Sequence, residues 1–176
     1  TIGNGHGTAA YYGLEKDVDI QLGTLSKSLG AVGGYVAANS TIIDYPVNMS
    51  RSFIFSTALS PADIGAALAA LQIIESDSSV LRRLQDNVNY MTDCLNSMGI
   101  YATNETPIFP ILIGSNEDTL VVSNHLYNAG IIGTAIRPPT VPVGESRIRL
   151  TVTAAHNREQ IDYVCQTLSK AIKELN

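Results

Sequence analysis

The sequence predicts an α/β or α+β fold, and three observations support this prediction. Helical and strand patterns alternate along the 176 residues without an internal repeat. Hydrophobic residues make up 45% and charged residues 15%, as is typical of a packed globular protein. The apolar runs are broken by Gly, Pro or Asn and stay well below the roughly 20 residues that a spanning helix needs. We therefore expect a buried core and no membrane partner.

The net charge and the two cysteines indicate which binding partners and which cellular compartment to expect. The net charge is -5 and the sequence has no block of Lys or Arg, so nucleic acid is not an expected partner. Cys94 and Cys165 are far apart in the sequence and each lies in a helical pattern, which favours reduced packing residues in a cytoplasmic protein. The chain begins at Thr1 without a signal-like segment, and we expect it to be a piece of a longer protein.

The first third of the sequence predicts two strands around a glycine-rich loop. Residues 1 to 16 are glycine-rich and read as a loop with one short helical turn, and residues 18 to 22 alternate as a strand. A loop spans residues 23 to 34, and residues 35 to 38 form a short apolar run suited to a buried strand. A helix over residues 40 to 50 and a very short strand at 53 to 55 follow.

Two consecutive helices are predicted in the middle of the sequence. Ser60-Pro61-Ala62-Asp63 combines an N-cap serine, a proline at the first helical position and an acid in the first turn, and apolar residues recur at helical spacing to residue 74. Residues 77 to 79 interrupt the pattern, and a second amphipathic helix over 80 to 98 ends at Gly99. A domain boundary is expected near residue 78.

The last third predicts an α+β arrangement that ends in a helix. Asn157 and Gln160 form a capping box at the start of that helix. The other predicted elements are strands at residues 109 to 113, 131 to 136 and 147 to 152, and a helix at 117 to 128 closed by Gly130.

The loop at residues 23 to 30 combines two hydroxyls and a lysine in a glycine-bounded turn after a strand. Thr24 and Ser26 can donate to an anion, and the neutral amine of Lys27 can attack a carbonyl to form a Schiff base. A nucleotide P-loop does not match because Ser26 precedes Lys27, and the glycine spacing does not fit a dinucleotide fingerprint. From these residues alone, a solvated lysine in a tight turn is the favoured interpretation, and the Schiff-base lysine is the alternative.

Longer motifs give a family resemblance over essentially the whole chain. The run from Asp19 to Gly30, followed by Gly33-Gly34-Tyr35, resembles the cofactor-lysine signature of the α-oxoamine synthases, which are pyridoxal-phosphate enzymes of fold type I. The resemblance continues through residues 55 to 61, 137 to 142, 147 to 150 and 154 to 156. It implies that residues 1–60 end a large α/β cofactor-binding domain, 61–78 form a linking helix, and 79–176 form a small α+β C-terminal domain.

The resemblance implies roles for four residues of the first part of the chain. Lys27 would hold pyridoxal 5'-phosphate as a Schiff base and later move the α-proton, and Thr24 would bind the cofactor phosphate of the same subunit. Ser56 and Thr57 would reach the phosphate in the partner subunit, which implies a homodimer with a shared active site. The alternative for Ser56 and Thr57 is that they simply end a strand before the helix cap.

Two residues of the second part match substrate-binding positions of the family. Arg149 would grip the amino-acid carboxylate with its two-pronged guanidinium, and Thr140 would lie near the substrate. Arg147 shares the strand face of Arg149, so periodicity cannot separate the two, and Thr140 could equally serve turn chemistry. The spacing of His6, His125 and His156 does not suit a metal site, and no metal is expected.

The resemblance implies an acyltransferase that condenses an amino acid with an acyl-CoA and releases CO2. Within the family, the run at residues 137 to 142 favours condensation of L-alanine with a pimeloyl thioester in biotin synthesis. Condensation of glycine with acetyl-CoA ranks next and serine with a palmitoyl thioester third, and the alternative from another class is a non-catalytic partner subunit. The family's pyridine-nitrogen aspartate and ring-stacking histidine precede the matched motifs, so the isolated 176-residue chain is expected to be inactive.

Overall fold

The computed structural model describes residues 2–175 and divides into two compact units, Thr1–Ser78 and Ser79–Asn176. The first unit holds a 3-10 turn at Gly3–Gly5, helices α1 (Thr8–Tyr12), α2 (Ser40–Met49), α3 (Arg51–Ile54) and α4 (Pro61–Ser76), and strands β1 (Ile20–Thr24) and β2 (Gly34–Ala38). The second unit holds helix α5 (Ser78–Ser97) from its second residue onward, helices α6 (Asn116–Asn128) and α7 (Arg158–Lys173), and strands β3 (Ile108–Gly114), β4 (Thr134–Ile136) and β5 (Ser146–Thr151).

Strands β1 and β2 form an antiparallel pair in which Thr24 lies opposite Gly34. The prediction of two strands around the glycine-rich loop is confirmed, with β1 displaced by two residues toward the C-terminus. The prediction that β2 is buried is wrong for this chain, because Tyr35 is 50% exposed and Val36 is 45% exposed. Among the described residues β1 and β2 pair only with each other, and most of their side chains stay exposed.

The predicted strand at residues 53 to 55 is also wrong, because α3 occupies Arg51–Ile54. Ile54 N–H donates to the Ser50 carbonyl over 2.9 Å, and Phe55 N–H donates to the Arg51 carbonyl over 3.0 Å. These local bonds satisfy the backbone, whereas a strand would need a pairing partner. Aromatic and β-branched residues favour strands only where such a partner exists.

The start of α4 confirms the predicted cap. Ser60 Oγ accepts a hydrogen bond from Asp63 N–H over 3.1 Å and donates to Asp63 Oδ2 over 2.6 Å, and Pro61 is the first helical residue. Asp63 Oδ1 also accepts a bond from Val32 N–H over 3.4 Å. The cap therefore connects the start of α4 with the loop that follows β1.

Replacing Ser60 by alanine is expected to lower the free energy of unfolding by about 1 kcal/mol, because an orphan N–H at the start of α4 loses its acceptor. Urea denaturation of the purified protein measures this change. Ser60→Asn retains a capping oxygen and should stay within a few tenths of a kcal/mol of the original protein. Equal stability of Ser60→Ala and the original protein would contradict the assigned cap.

The second unit packs three helices against one face of an antiparallel sheet of order β3-β5-β4. Inward-facing Phe109, Ile111, Ile148 and Leu150 alternate with outward-facing residues along β3 and β5. The predicted strand at 131 to 136 is confined to β4, because Ile131 N–H still closes α6 through the Leu126 carbonyl. The helical residues that complete this core are Val88, Met91, Leu95, Val122, Leu126, Ile161, Cys165, Leu168 and Ala171.

The cysteines and two of the histidines serve packing and hydrogen bonding in the second unit. Cys94 and Cys165 are free, and burial raises the pKa of the Cys165 thiol. His156 Nδ1 accepts a bond from Thr153 N–H over 3.2 Å, and His125 Nδ1 lies 3.1 Å from Glu174 Oε2. Across residues 2–175, no group of three or more His, Cys, Asp or Glu side chains is arranged to hold a metal ion.

Among residues 2–175, no single helix is both long enough and apolar enough to cross a membrane. Helices α4 and α5 meet the requirement only when they are counted together across the break at Asp77, and then by length and composition alone.

Candidate functional site

Lys27 lies in a folded-back segment between β1 and β2 that we call the lysine loop, residues 25 to 33. Leu25 N–H donates to the Gly33 carbonyl over 2.9 Å, and Ala31 N–H donates to the Leu25 carbonyl over 3.0 Å. A tighter turn at the tip is closed by Gly30 N–H, which donates to the Lys27 carbonyl over 3.2 Å. The backbone is thus fixed at both ends of the loop while the Lys27 side chain is exposed.

Two glycines permit the close approaches at the base of this loop. A Cβ on Gly23 would lie 2.5 Å from the ring of Tyr35, and a Cβ on Gly33 would lie 2.6 Å from Leu59 Cδ1. Gly33 also has φ +125, which L side chains rarely adopt. Leu59 therefore packs directly against the lysine loop, and the segment before α4 is brought next to it.

The lysine loop presents donors that suit an anion. Thr24 is the last residue of β1 and its hydroxyl is exposed. In the described part of the chain, the N–H groups of Ser26, Lys27 and Ser28 form no hydrogen bond, and the Lys27 amino group has no ion-pair partner. Successive N–H groups without protein partners, together with nearby hydroxyls, can bind an anion, and an amine without an ion-pair partner can react with a carbonyl.

Ser56 and Thr57 lie between α3 and α4, in the same unit as Lys27 and Thr24. Both side chains are exposed, and Ser56 Oγ donates to the Ser52 carbonyl. The contact of Leu59 with Gly33 brings this segment to the lysine loop of the same chain. Their predicted contact with a phosphate in a partner subunit stays a prediction.

Arg149 and Arg147 differ in their hydrogen bonding although they share the outward face of β5. Arg147 Nε donates to the Glu145 carbonyl over 2.9 Å, and its Nη2 lies 2.9 Å from Glu145 Oε2. Arg149 is exposed, and among the described residues its guanidinium has no hydrogen-bond or ion-pair partner. Arg149 is therefore available to bind a carboxylate, whereas Arg147 already binds one.

Thr140 lies in the loop that joins β4 to β5. Its N–H donates to the Arg137 carbonyl over 3.0 Å, its side chain is exposed, and the Pro138–Pro139 peptide bond just before it is cis. Thr140 and Arg149 belong to the second unit, whereas the four other predicted site residues belong to the first.

Sequence reasoning missed two acidic residues beside the predicted site. Asp63 joins the cap of α4 to Val32 of the lysine loop, although the sequence marked it only as a first-turn acid. Glu145 binds Arg147 and so distinguishes it from Arg149. The available signal for Glu145 was its spacing, because a carboxylate two residues before an arginine on an extended strand can lie on the same face.

Residues 2–168 match the family model described as aminotransferase class I and II. The chain belongs to this family. Two 8-amino-7-oxononanoate synthases are similar over nearly the whole chain. The 8-amino-7-oxononanoate synthase of Lysinibacillus sphaericus is 43% identical over 99% of this chain and 45% of its own length. That of Thermoanaerobacter pseudethanolicus is 40% identical over 98% of this chain and 44% of its own length. The chain thus spans less than half the length of these relatives.

Solved structures show the same fold. Serine palmitoyltransferase (SPT) from S. paucimobilis, with a bound PLP-myriocin aldimine, has a TM-score of 0.91 and 26% identity over 99% of this chain and 46% of its own. A high-resolution SPT structure with a PLP internal aldimine has a TM-score of 0.92 at the same identity and coverage. The 8-amino-7-oxononanoate synthase of Francisella tularensis, 24% identical over 99% of this chain and 52% of its own, gives 0.86. The predicted fold-type I pyridoxal-phosphate transferase fold is confirmed.

Proposed function

We propose that this chain is part of a pyridoxal-phosphate-dependent 8-amino-7-oxononanoate synthase, which condenses L-alanine with a pimeloyl thioester. The lysine loop supports this proposal most directly, because it presents an unpaired amine beside unpaired N–H groups and hydroxyls. The two curated relatives of that name, at 43% and 40% identity, support the same assignment. In the proposed reaction, L-alanine and pimeloyl-CoA give the amino-ketone, CoA and CO2.

The residues of the lysine loop fit the cofactor. Pyridoxal phosphate has an aldehyde, which the Lys27 amine can bind covalently, and a phosphate, which the Thr24 hydroxyl and the loop N–H groups can bind. When bound, the cofactor ring withdraws electrons from the substrate Cα. A side chain at Gly23 would collide with Tyr35, and one at Gly33 would collide with Leu59, so glycine is needed at both positions for the loop to fold back.

The chain's own residues then bind, orient and deprotonate the substrate. The Arg149 guanidinium donates two hydrogen bonds to the amino-acid carboxylate, which fixes the orientation of the bonds at the substrate Cα. The released Lys27 amine accepts the α-proton. Thr140 lies beside the substrate, and Ser56 and Thr57 bind the phosphate held by the other subunit of a homodimer.

The domain division follows from the same proposal. We assign residues 1–60 to the end of a large cofactor-binding domain, 61–78 to a linking helix and 79–176 to a small C-terminal domain. The division of the chain between Ser78 and Ser79 supports this assignment. Exposed Phe53 and Phe55, directly before Ser56, support a covered surface there in the complete protein. A homodimer in the cytoplasm completes the proposal.

Other functions are less well supported. Glycine C-acetyltransferase and an SPT-like activity use the same chemistry. The solved SPT structures share the fold, but they are 26% identical to this chain, whereas the two synthases are 43% and 40% identical. A non-catalytic partner subunit is a different class of function. The exposed, unpaired Lys27 amine argues against it, because a subunit without catalytic duty has no need of that group in such a loop.

Measuring CoA release by the holoenzyme tests the proposed function. Alanine, glycine and serine are each combined with pimeloyl-CoA, acetyl-CoA and palmitoyl-CoA. The highest kcat/KM is expected for alanine with pimeloyl-CoA. A preference for glycine with acetyl-CoA, or for serine with palmitoyl-CoA, would replace the proposal by the corresponding alternative. Absence of CoA release with every pair would support the non-catalytic subunit.

A further inference from the structure

The outward face of the sheet in the second unit presents two arginines in different surroundings. Arg147 and Arg149 both project from β5, two residues apart, which separates their Cα atoms by about 7 Å. Arg149 lies opposite Pro110 on β3 and Thr134 on β4. Arg147 lies opposite Leu112 and Ile136, so aliphatic side chains flank it on both sides.

Glu145 holds the Arg147 guanidinium in place from one side. The Nε and Nη2 bonds to Glu145 fix the plane of the fork, and the Nη1 edge has no hydrogen-bond partner in the part of the chain that the structure describes. The Arg147 side chain is 27% exposed and that of Glu145 is 54% exposed. The ion pair between Arg147 and Glu145 is partly open to solvent and only weakly neutralises the arginine, so a second carboxylate can bind the Nη1 edge beside Glu145.

These contacts suit a carboxylate at the end of an aliphatic chain. Leu112 and Ile136 offer apolar surface to methylene groups beside Arg147. A pimeloyl group has its second carboxylate at the far end of a methylene chain, whereas acetyl and palmitoyl groups have none. With the amino-acid carboxylate at Arg149, the second carboxylate would lie farther along the same face.

We propose that Arg147, held by Glu145 and flanked by Leu112 and Ile136, binds the terminal carboxylate of a dicarboxylic acyl thioester and selects it over neutral acyl chains. This inference rests on the proposed function. It assigns substrate selectivity to a residue outside the predicted site. It also gives the preference for pimeloyl over acetyl thioesters a physical cause.

The test compares two acyl chains of equal length in the holoenzyme, pimeloyl-CoA and heptanoyl-CoA, with L-alanine as the other substrate. Arg147→Gln should raise KM for pimeloyl-CoA about tenfold, because a charge-assisted pair is lost, and should leave KM for heptanoyl-CoA unchanged. Arg147→Lys keeps the charge without the fork and should raise KM for pimeloyl-CoA about threefold. The matched control is Arg82→Gln, on the exposed face of α5.

The outcomes separate this inference from the proposed function. Equal effects of Arg147→Gln on both acyl chains, or no effect on either, would overturn the role of Arg147 while the synthase activity stands. If the unmodified holoenzyme does not use pimeloyl-CoA, the proposed function fails and the Arg147 assignment fails with it. Arg147→Lys is the milder variant, and its KM ratio decides the question if Arg147→Gln does not fold.

Discussion

Replacing Lys27 by arginine is expected to lower kcat for alanine and pimeloyl-CoA by at least about 10³-fold. Arginine keeps the positive charge at the tip of the lysine loop, but its guanidinium is not deprotonated in proteins and so supplies no free amine. The variant should therefore lose both the covalent link to the cofactor and the base that moves the α-proton. Steady-state rates and the visible absorbance of the purified holoenzyme measure the two losses.

The control for this prediction is Lys16→Arg, because Lys16 lies in a separate exposed turn of the same unit. It should keep the original rate and absorbance. A Lys27→Arg variant that retains more than about a tenth of the original kcat would contradict the assigned role, since loss of a catalytic base costs about 10²-fold or more.

The second large effect is expected at Arg149. Arg149→Gln should lower kcat/KM for the amino acid about 10²-fold, since it removes two charge-assisted hydrogen bonds to the substrate carboxylate. Arg149→Lys keeps the charge but loses the two-pronged geometry, and a loss of about tenfold is expected. The measurement is a titration of L-alanine at saturating acyl-CoA, with Arg82→Gln as the exposed arginine control.

This prediction also distinguishes the two arginines of β5. Arg149→Gln should change the kinetics of the amino acid, whereas the expected effect at Arg147 is on the acyl thioester. A larger effect of Arg147→Gln than of Arg149→Gln on the KM for alanine would contradict the assignment, and would place the amino-acid carboxylate at Arg147.

Local signals in the sequence predicted the helices well. The Ser60 cap and the Asn157–Gln160 capping box involve residues three apart, and both form as expected. Gly99, just after α5, takes φ +77, which is the conformation that a glycine after a helix supplies. Such signals depend on few residues, so they can be identified without knowledge of the tertiary structure.

Non-local contacts explain what the sequence did not predict. The run at residues 53 to 55 has the composition of a strand, yet its backbone bonds within α3. The exposure of Leu22 and Tyr35 depends on which layers cover the hairpin, and a strand pattern does not contain that information. The contact of Gly33 with Leu59 joins residues far apart in the sequence, and only the fold shows why a glycine is needed there.

At the candidate site, too, the sequence supplied the residue types, whereas contacts between residues became known only from the structure. The residue types in the lysine loop allowed a Schiff base, but on their own they favoured a solvated lysine in a turn. Period-two alternation put Arg147 and Arg149 on one face and could not separate them. The structure separates them through Glu145, which binds Arg147 and leaves Arg149 without a partner among the described residues.

The most direct test of the central claim is borohydride reduction of the holoenzyme followed by peptide mapping. Reduction converts a lysine–pyridoxal phosphate link into a stable secondary amine, so the modified lysine can be identified by mass. We predict one pyridoxyl group per chain, on the peptide that contains Lys27. A label on a different lysine, such as Lys16, or no label on a holoenzyme that retains its cofactor, would contradict the account.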